Sequence, residues 1–274
     1  MGISYSTARL IAPASFLYDF AAQQYGLNST PSMKDVNDAN VSFWSPQPYF
    51  IGGFFFPQQF FQVAWLYKLW TISGKVKSGK ATAQEKKDVD EMVQFVPYYV
   101  LGNICIGTWM FFWNASMLEA SNVFVWINSL SQLYFTFFKQ PPMNTNSWPS
   151  ILTHISAKTF AGIGVLDFVH NTSVAYFKDE LPSTAIKVIT GLGFAGLAAG
   201  SDWILGGCLV YDLIALSVGQ KTIGNDSWSK MLGGFAVGTA AIVGLRNYLK
   251  PPYIKVSAQE YERVAAQEEV DEQV

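Results

Sequence analysis

The sequence predicts an all-α protein, a polytopic transmembrane helix bundle of about eight helices, and three observations predict it. Half of the 274 residues are hydrophobic and 16% are aromatic, while only 14% are charged, against roughly 25% in an ordinary soluble domain. The charge is blockwise: long stretches carry almost none, whereas Gly74–Glu91 and Tyr253–Val274 are dense with it, as loops and tails flanking spans are. Finally, apolar stretches repeatedly reach the roughly 20 residues that cross a hydrocarbon core.

Taken in order, Ser6–Tyr25 is the weakest span, because Arg9, Pro13 and Asp19 interrupt it. It is either the first of eight spans or an interfacial helix, which leaves seven. Tyr49–Trp70, Gln94–Trp113, Leu118–Phe138, Ile151–Phe177 and Lys230–Leu249 are spans by length and composition. Thr184–Gly219 is too long for one span and is divided at Gly200-Ser201-Asp202, giving Thr184–Gly200 and Asp202–Gly219. Residues 1–250 therefore form a transmembrane domain. Residues 251–274, after Pro251-Pro252, form a polar, acidic cytosolic tail, either disordered or a short amphipathic helix.

Alternating eight spans from a cytosolic N-terminus places Lys75, Lys77, Lys80, Lys86 and Lys87 inside, with Lys139, Arg246, Lys250, Lys255 and Arg263. Only Lys34, Lys178, Lys187, Lys221 and Lys230 fall outside, the asymmetry that the positive-inside rule expects. Both termini are then cytosolic, in a protein of the secretory pathway or plasma membrane. Five N-x-[ST] sequons, at Asn28, Asn40, Asn114, Asn171 and Asn225, all fall at or near the outer face. Asn28 and Asn40 lie in a polar loop long enough to be glycosylated. In the tail, Tyr253-Ile254-Lys255-Val256 and Tyr261-Glu262-Arg263-Val264 match the Y-x-x-Φ pattern of sorting signals.

Several classes are excluded. A net charge of -2 with no basic helix gives no nucleic-acid partner. Cys105 and Cys208 sit in apolar segments and read as small buried hydrophobes. His154 and His170 lie at opposite ends of one span, so they cannot share a metal. No nucleophile elbow, phosphate loop or metalloprotease motif is present. The chain reads as a non-enzyme without cofactor.

Ionisable groups inside spans are functional hypotheses by default. Asp212 sits near the middle of its span, where a lone carboxylate must be protonated or find a partner; a ligand or proton site and a structural acid fit equally. Asp167 and His170 share one helix face, as a polar-headgroup site or as a structural pair. Gly196/Gly200 and Gly234/Gly238 are small-residue pairs read as close helix packing. The Pro57-Gln58-Gln59 triplet either lines a cavity or kinks a packed helix.

Ser45-Pro46-Gln47-Pro48-Tyr49-Phe50-Ile51, followed by an aromatic helix, and the run from Asn103 through Trp109 to Trp113 resemble the tryptophan-rich sensory protein (translocator protein) family. The layout is also similar to a fungal family of multi-pass membrane proteins. The first resemblance implies an aromatic-lined intramembrane pocket for a small apolar or amphipathic ligand such as a porphyrin or sterol. It implies ligand roles for Asn103, Trp109 and Trp113, with the last two spans added to the family core. Besides the bilayer, a second copy of the chain is a candidate partner. The alternatives are a secondary transporter using Asp212, with Asp167 and His170 as accessory groups, and a structural scaffold.

Overall fold

The structure is a computed structural model that describes residues 3–271. It is all-α: ten helices and one π-helical turn, with a single pair of two-residue strands, among the described residues. Helix α1 (Tyr5–Asn28) begins where Ser4 accepts the amide of Thr7 and buries Ala8, Ala12, Ser15, Asp19, Ala22 and Gly26. That stripe recurs at helical spacing, and its small residues let α1 lie close against a neighbour. The neighbour is α4 (Ala83–Asn114), where Gly26 abuts Met110 and Gly107 abuts Tyr18. A capping box of Thr82 and Glu85 starts α4, satisfying two orphan amides reciprocally. The short α2 (Met33–Ala39) uses the same device, Ser32 with Asp35.

Helix α3 (Pro48–Lys77) runs through Pro57 as a packed helix. Its buried Gln58 donates to Thr159 Oγ1 at 3.1 Å, and Gln62 accepts from Tyr99 Oη at 2.8 Å. Helix α5 (Leu118–Tyr134) passes directly into the π-turn Phe135–Lys139. Helix α6 (Trp148–Tyr176), capped by Ser147, is the centre of the molecule and buries residues on nearly every side. It packs against α3, α4, α5 and α8 (Trp203–Thr222). Helices α7 (Thr184–Gly200) and α9 (Asp226–Leu249) lie beyond α8. The break at Gly200-Ser201-Asp202 is present, with Asp202 capping α8 through the amides of Ile204 and Leu205.

The tail is folded. Strand β1 (Met143–Asn144) pairs in parallel with β2 (Tyr253–Ile254), and α10 (Ala258–Asp271) follows. Glu262 accepts the Ala83 amide at 3.2 Å, and Lys87 lies over the Tyr261 ring. Tyr5 donates to Asp90 at 2.5 Å. The start of α1, the lysine-rich α3–α4 turn and the tail thus share one end of the bundle. At the opposite end Val41–Gln47 is a buried plug. Phe43 and Trp44 are core residues. The plug's backbone is satisfied from the helices: Gln220 donates to Ser42 O and Ser45 O, Trp228 to Phe43 O, and Gln47 N donates to Ala215 O. Gly219 allows this approach, since any Cβ there would strike the Ser45–Gln47 backbone. Gly219→Ala should therefore cost about 1–3 kcal/mol, as overpacking against atoms that cannot swing aside does. A fall in the thermal midpoint of detergent-solubilised protein checks this.

Three helices, α4, α8 and α9, are long and apolar enough to cross a membrane, and α7 is a shorter apolar helix. Inward-facing polar residues (Asp19 on α1, Gln58 and Gln62 on α3, His154 and Lys158 on α6) lower the mean hydropathy of the others. The glycine pairs behave differently from the expectation of close packing. Gly200 meets the Phe137 ring, but Gly196, Gly234 and Gly238 have open space beside them among the described residues. Gly234 and Gly238 instead line an outward groove of about 550 Å³ between α7 and α9.

Candidate functional site

The residues singled out from sequence fall into three places. Asn103 is fully buried, its amide donating to Tyr99 O one turn back at 2.8 Å. Trp109, Trp113 and His170 are brought together, with ring centroids 5.4 Å apart between the indoles and 5.8 Å between Trp113 and His170. Both indole N–H groups are engaged, Trp109 with Asn171 Oδ1 at 2.8 Å and Trp113 with Met33 O at 3.1 Å. This cluster fastens α2, α4 and α6 to one another. Asp212 is fully buried on α8, and neither carboxylate oxygen has a partner among the described residues. Asp167 is half-buried on α6.

The cavity with the richest chemistry lies elsewhere, near the end of the bundle that carries the tail. It holds about 390 Å³ and is bounded by three irregular pieces of backbone: the π-turn, the α7–α8 break and the Pro251–Ile254 segment. π-Turns inside α-helices are frequently found at functional sites. Irregular backbone within an apolar bundle is tolerated where it lines a cavity or is buried in protein. Thr136, Gln140, His154, Lys158, Asp202 and Arg246 face this space.

Sequence spacing explains how they meet. Ser147, Ser150, His154 and Lys158 follow one another at three- and four-residue steps, which puts them on one face of α6. Lys158 Nζ is paired with Asp202 Oδ2 and lies 2.6 Å from His154 Nδ1. Asp202 Oδ1 accepts the α8 amides at 3.1 and 3.0 Å, so both its oxygens are committed. With Nδ1 facing the ammonium, the His154 tautomer consistent with the network carries its proton on Nε2, 3.3 Å from Glu91 Oε1. Ser150 Oγ donates to the same Glu91 oxygen, and Ser147 Oγ to Asp88 Oδ1. A chain of titratable groups thus leads from the α4 surface to the cavity.

Glu91 precedes the apolar stretch Gln94–Trp113. Burial pushes its carboxyl from the ordinary 4.5 up to about 7, opposed by the Ser150 hydrogen bond and the Lys158 charge. Burial also raises Asp88. The folded state holds the Glu91 proton more tightly than the unfolded chain does. Its contribution to stability is therefore full below the unfolded carboxyl range and is lost as pH rises through about 7. Glu91→Gln should flatten the fall in thermal midpoint between about pH 5 and about pH 8, read by melting in neutral detergent.

Lys158, Asp202, Glu91 and Arg246 are absent from the residues that sequence alone suggests. One signal was available: Lys158 is the lone cation within Ile151–Phe177, one turn after a histidine. No protein-family model, curated protein or solved structure matches the chain.

Proposed function

We propose that the chain is a multi-pass integral membrane protein that holds a small, polar-headed amphipathic ligand in the cavity at the α7–α8 break, without acting as an enzyme. Its eight spans correspond to α1 and α3–α9, with both termini cytosolic. Outward-facing large apolar side chains support the membrane setting: Leu17 on α1, Phe56 and Phe60 on α3, Leu192 on α7, Val237 and Leu245 on α9 are all more than half exposed. A soluble monomer does not present such a belt. The lysine-rich turn sharing one end with the tail supports the orientation.

The observation that carries the ligand reading is the lining itself. Thr136 Oγ1 and both amide atoms of Gln140 are buried and lack a hydrogen-bond partner among the described residues. Buried polar atoms find partners, and Thr136 and Gln140 line a space large enough to hold one. The reading keeps the ligand class that the tryptophan-rich sensory protein resemblance implies and moves the pocket away from Trp109 and Trp113, whose N–H groups are already used. Density beside Lys158 in a map of natively purified protein, matched by a co-purifying small molecule in native mass spectrometry, is the expected result. A cavity holding only water would overturn it.

Orientation has its own test. Asn28 is exposed, whereas the Asn40, Asn114 and Asn171 side chains are buried and hydrogen-bonded. A glycan at Asn28, removed by Asn28→Gln and kept in Asn40→Gln, is expected on protein from a glycosylating host. A glycan absent from Asn28 but gained at a sequon introduced into the α3–α4 turn would reverse the orientation.

A second reading, a proton-coupled transporter, is favoured by the unpartnered Asp212, which shares the α6–α8 interface with Lys158 and Asp202. Intramembrane carboxyls of this kind serve proton relays. Proton flux into proteoliposomes that is abolished by Asp212→Asn supports it, and flux indifferent to that change removes it.

A further inference from the structure

We infer that the cavity takes a phosphomonoester group, borne either by a membrane lipid or by a soluble metabolite, with Arg246 and Lys158 as its anchors. This rests on the ligand reading given above and names the chemistry of that ligand.

The charges lining the cavity do not balance. Lys158 and Arg246 reach it from α6 and α9, and Asp202 is the one carboxylate among the lining residues. Asp202 is engaged by Lys158 through Oδ2 and by the α8 amides through Oδ1. It forms no ion pair with Arg246 among the described residues. The guanidinium makes one hydrogen bond among the described residues, from Nη1 to the Lys250 carbonyl at 2.7 Å. Arg246 and Lys158 line the same cavity. Two cations drawn to one small, partly desolvated space favour an anion between them.

Hydrogen-bond capacity narrows the class. Lys158 has a third N–H beyond its two partners, and Arg246 has the rest of its fork. Thr136 offers a hydroxyl and Gln140 an amide NH2, both buried and unpartnered. These donors exceed the roughly four acceptor sites of a carboxylate. A phosphate, with three or more oxygens directed apart, can meet donors arriving from the π-turn, α6 and α9. The remaining wall (Phe137, Leu205, Pro251 and Pro252) is apolar, which suits the glycerol and first methylenes of a lipid or the carbon skeleton of a metabolite. Under the proposed orientation the cavity lies toward the cytosolic leaflet, where basic pockets between helices meet anionic headgroups.

The test uses the full-length protein in phosphatidylcholine nanodiscs with two probes, phosphatidic acid doped into the disc and glycerol 3-phosphate in solution. Saturable binding of at least one probe is expected. It should weaken tenfold or more in Arg246→Gln and also fall in Gln140→Leu, while Lys255→Gln, a cation outside the cavity, leaves it unchanged. Glycerol 3-phosphate saturating alone in phosphatidylcholine discs assigns a soluble ligand. Phosphatidic acid retained against excess glycerol 3-phosphate assigns a lipid. Thermal midpoints of Arg246→Gln and Gln140→Leu near that of the unaltered protein establish that any loss is local. Binding that is equal in Arg246→Gln, or absent for both probes, overturns the inference. If a neutral molecule nevertheless occupies the cavity in a map, the ligand reading survives that result; an empty cavity removes both.

Discussion

Lys158→Met should abolish most folded protein, and a second substitution, Asp202→Asn, should restore it. In the single variant the Asp202 carboxylate is left 6% exposed without its cation. Removing one partner of a buried pair typically costs about 3–5 kcal/mol, a large fraction of a typical domain's stability. Asparagine keeps the oxygen that caps α8 and needs no counter-charge, and Asn is as good an N-cap as Asp. The double variant should therefore recover to within about 1 kcal/mol of the parent, with strong non-additivity across the cycle. Size-exclusion profiles and melting in neutral detergent read all four proteins. A Lys158→Met protein as stable as the parent would mean that Asp202 has another partner or is protonated. The cycle also separates structure from binding: the rescued double variant should fold yet bind neither phosphate probe well, because it has lost an anchor.

Much of the helical framework was legible because apolar length and punctuation determine it. The Gly200-Ser201-Asp202 break was readable, since Asp202 is a good N-cap and the apolar stretch was too long for one helix. Helix α1 was ambiguous for a physical reason. Its inward face is built from Ala8, Ala12, Ala22 and Gly26 together with Asp19 and Ser15, which pack well but score poorly in hydropathy. The plug at Phe43 and Trp44 could not be read either, because burying a loop depends on distant donors such as Gln220 and Trp228. The cavity was the least legible part. Nothing in Phe135–Lys139 distinguishes a π-turn from another helical turn. Arg246, Pro251 and Gln140 share a wall only because the tail folds back. Lys158 was the exception, a charge inside an apolar run that hydropathy averaged away. By contrast Trp109 and Trp113 drew notice by their spacing, and their N–H groups prove to be joints between helices.

Releasing the tail should open the cavity. Pro251, Pro252, Tyr253 and Ile254 form one of its walls, and few bonds hold that wall in place. Asn144 is the clasp: it is 3% exposed, accepts the Val256 amide at 3.2 Å, and donates to Val256 O and to Tyr261 Oη. The other ties are the short strand pair, with Thr145 N donating to Ile254 O at 3.1 Å, the longer bonds from Thr145 Oγ1 and Asn146 Nδ2, and the exposed contacts of Glu262 with the Ala83 amide and of Lys87 with Tyr261. Hydrogen bonds of this kind contribute about 1 kcal/mol each, so the wall belongs to the low-stability end of the fold, where local opening is frequent. Both Y-x-x-Φ segments are engaged in this closed arrangement, Tyr253 through strand pairing and Tyr261 through Asn144. A single cysteine at Ser201, which is 1% exposed on the cavity wall, reports the opening, since Cys105 and Cys208 are themselves buried. Its reaction with a membrane-impermeant maleimide should be slow in the parent and at least about tenfold faster in Asn144→Ala, because loss of the clasp removes more than the roughly 1.4 kcal/mol that a tenfold shift requires. Ending the chain at Lys250 should give the fastest labelling, as the wall is then absent. Equal labelling in all three proteins would show that the cavity reaches solvent by another route and that the tail does not close it. Faster labelling with unchanged phosphate binding would make the tail a door to the site, while the anchors that hold its occupant remain on α6 and α9.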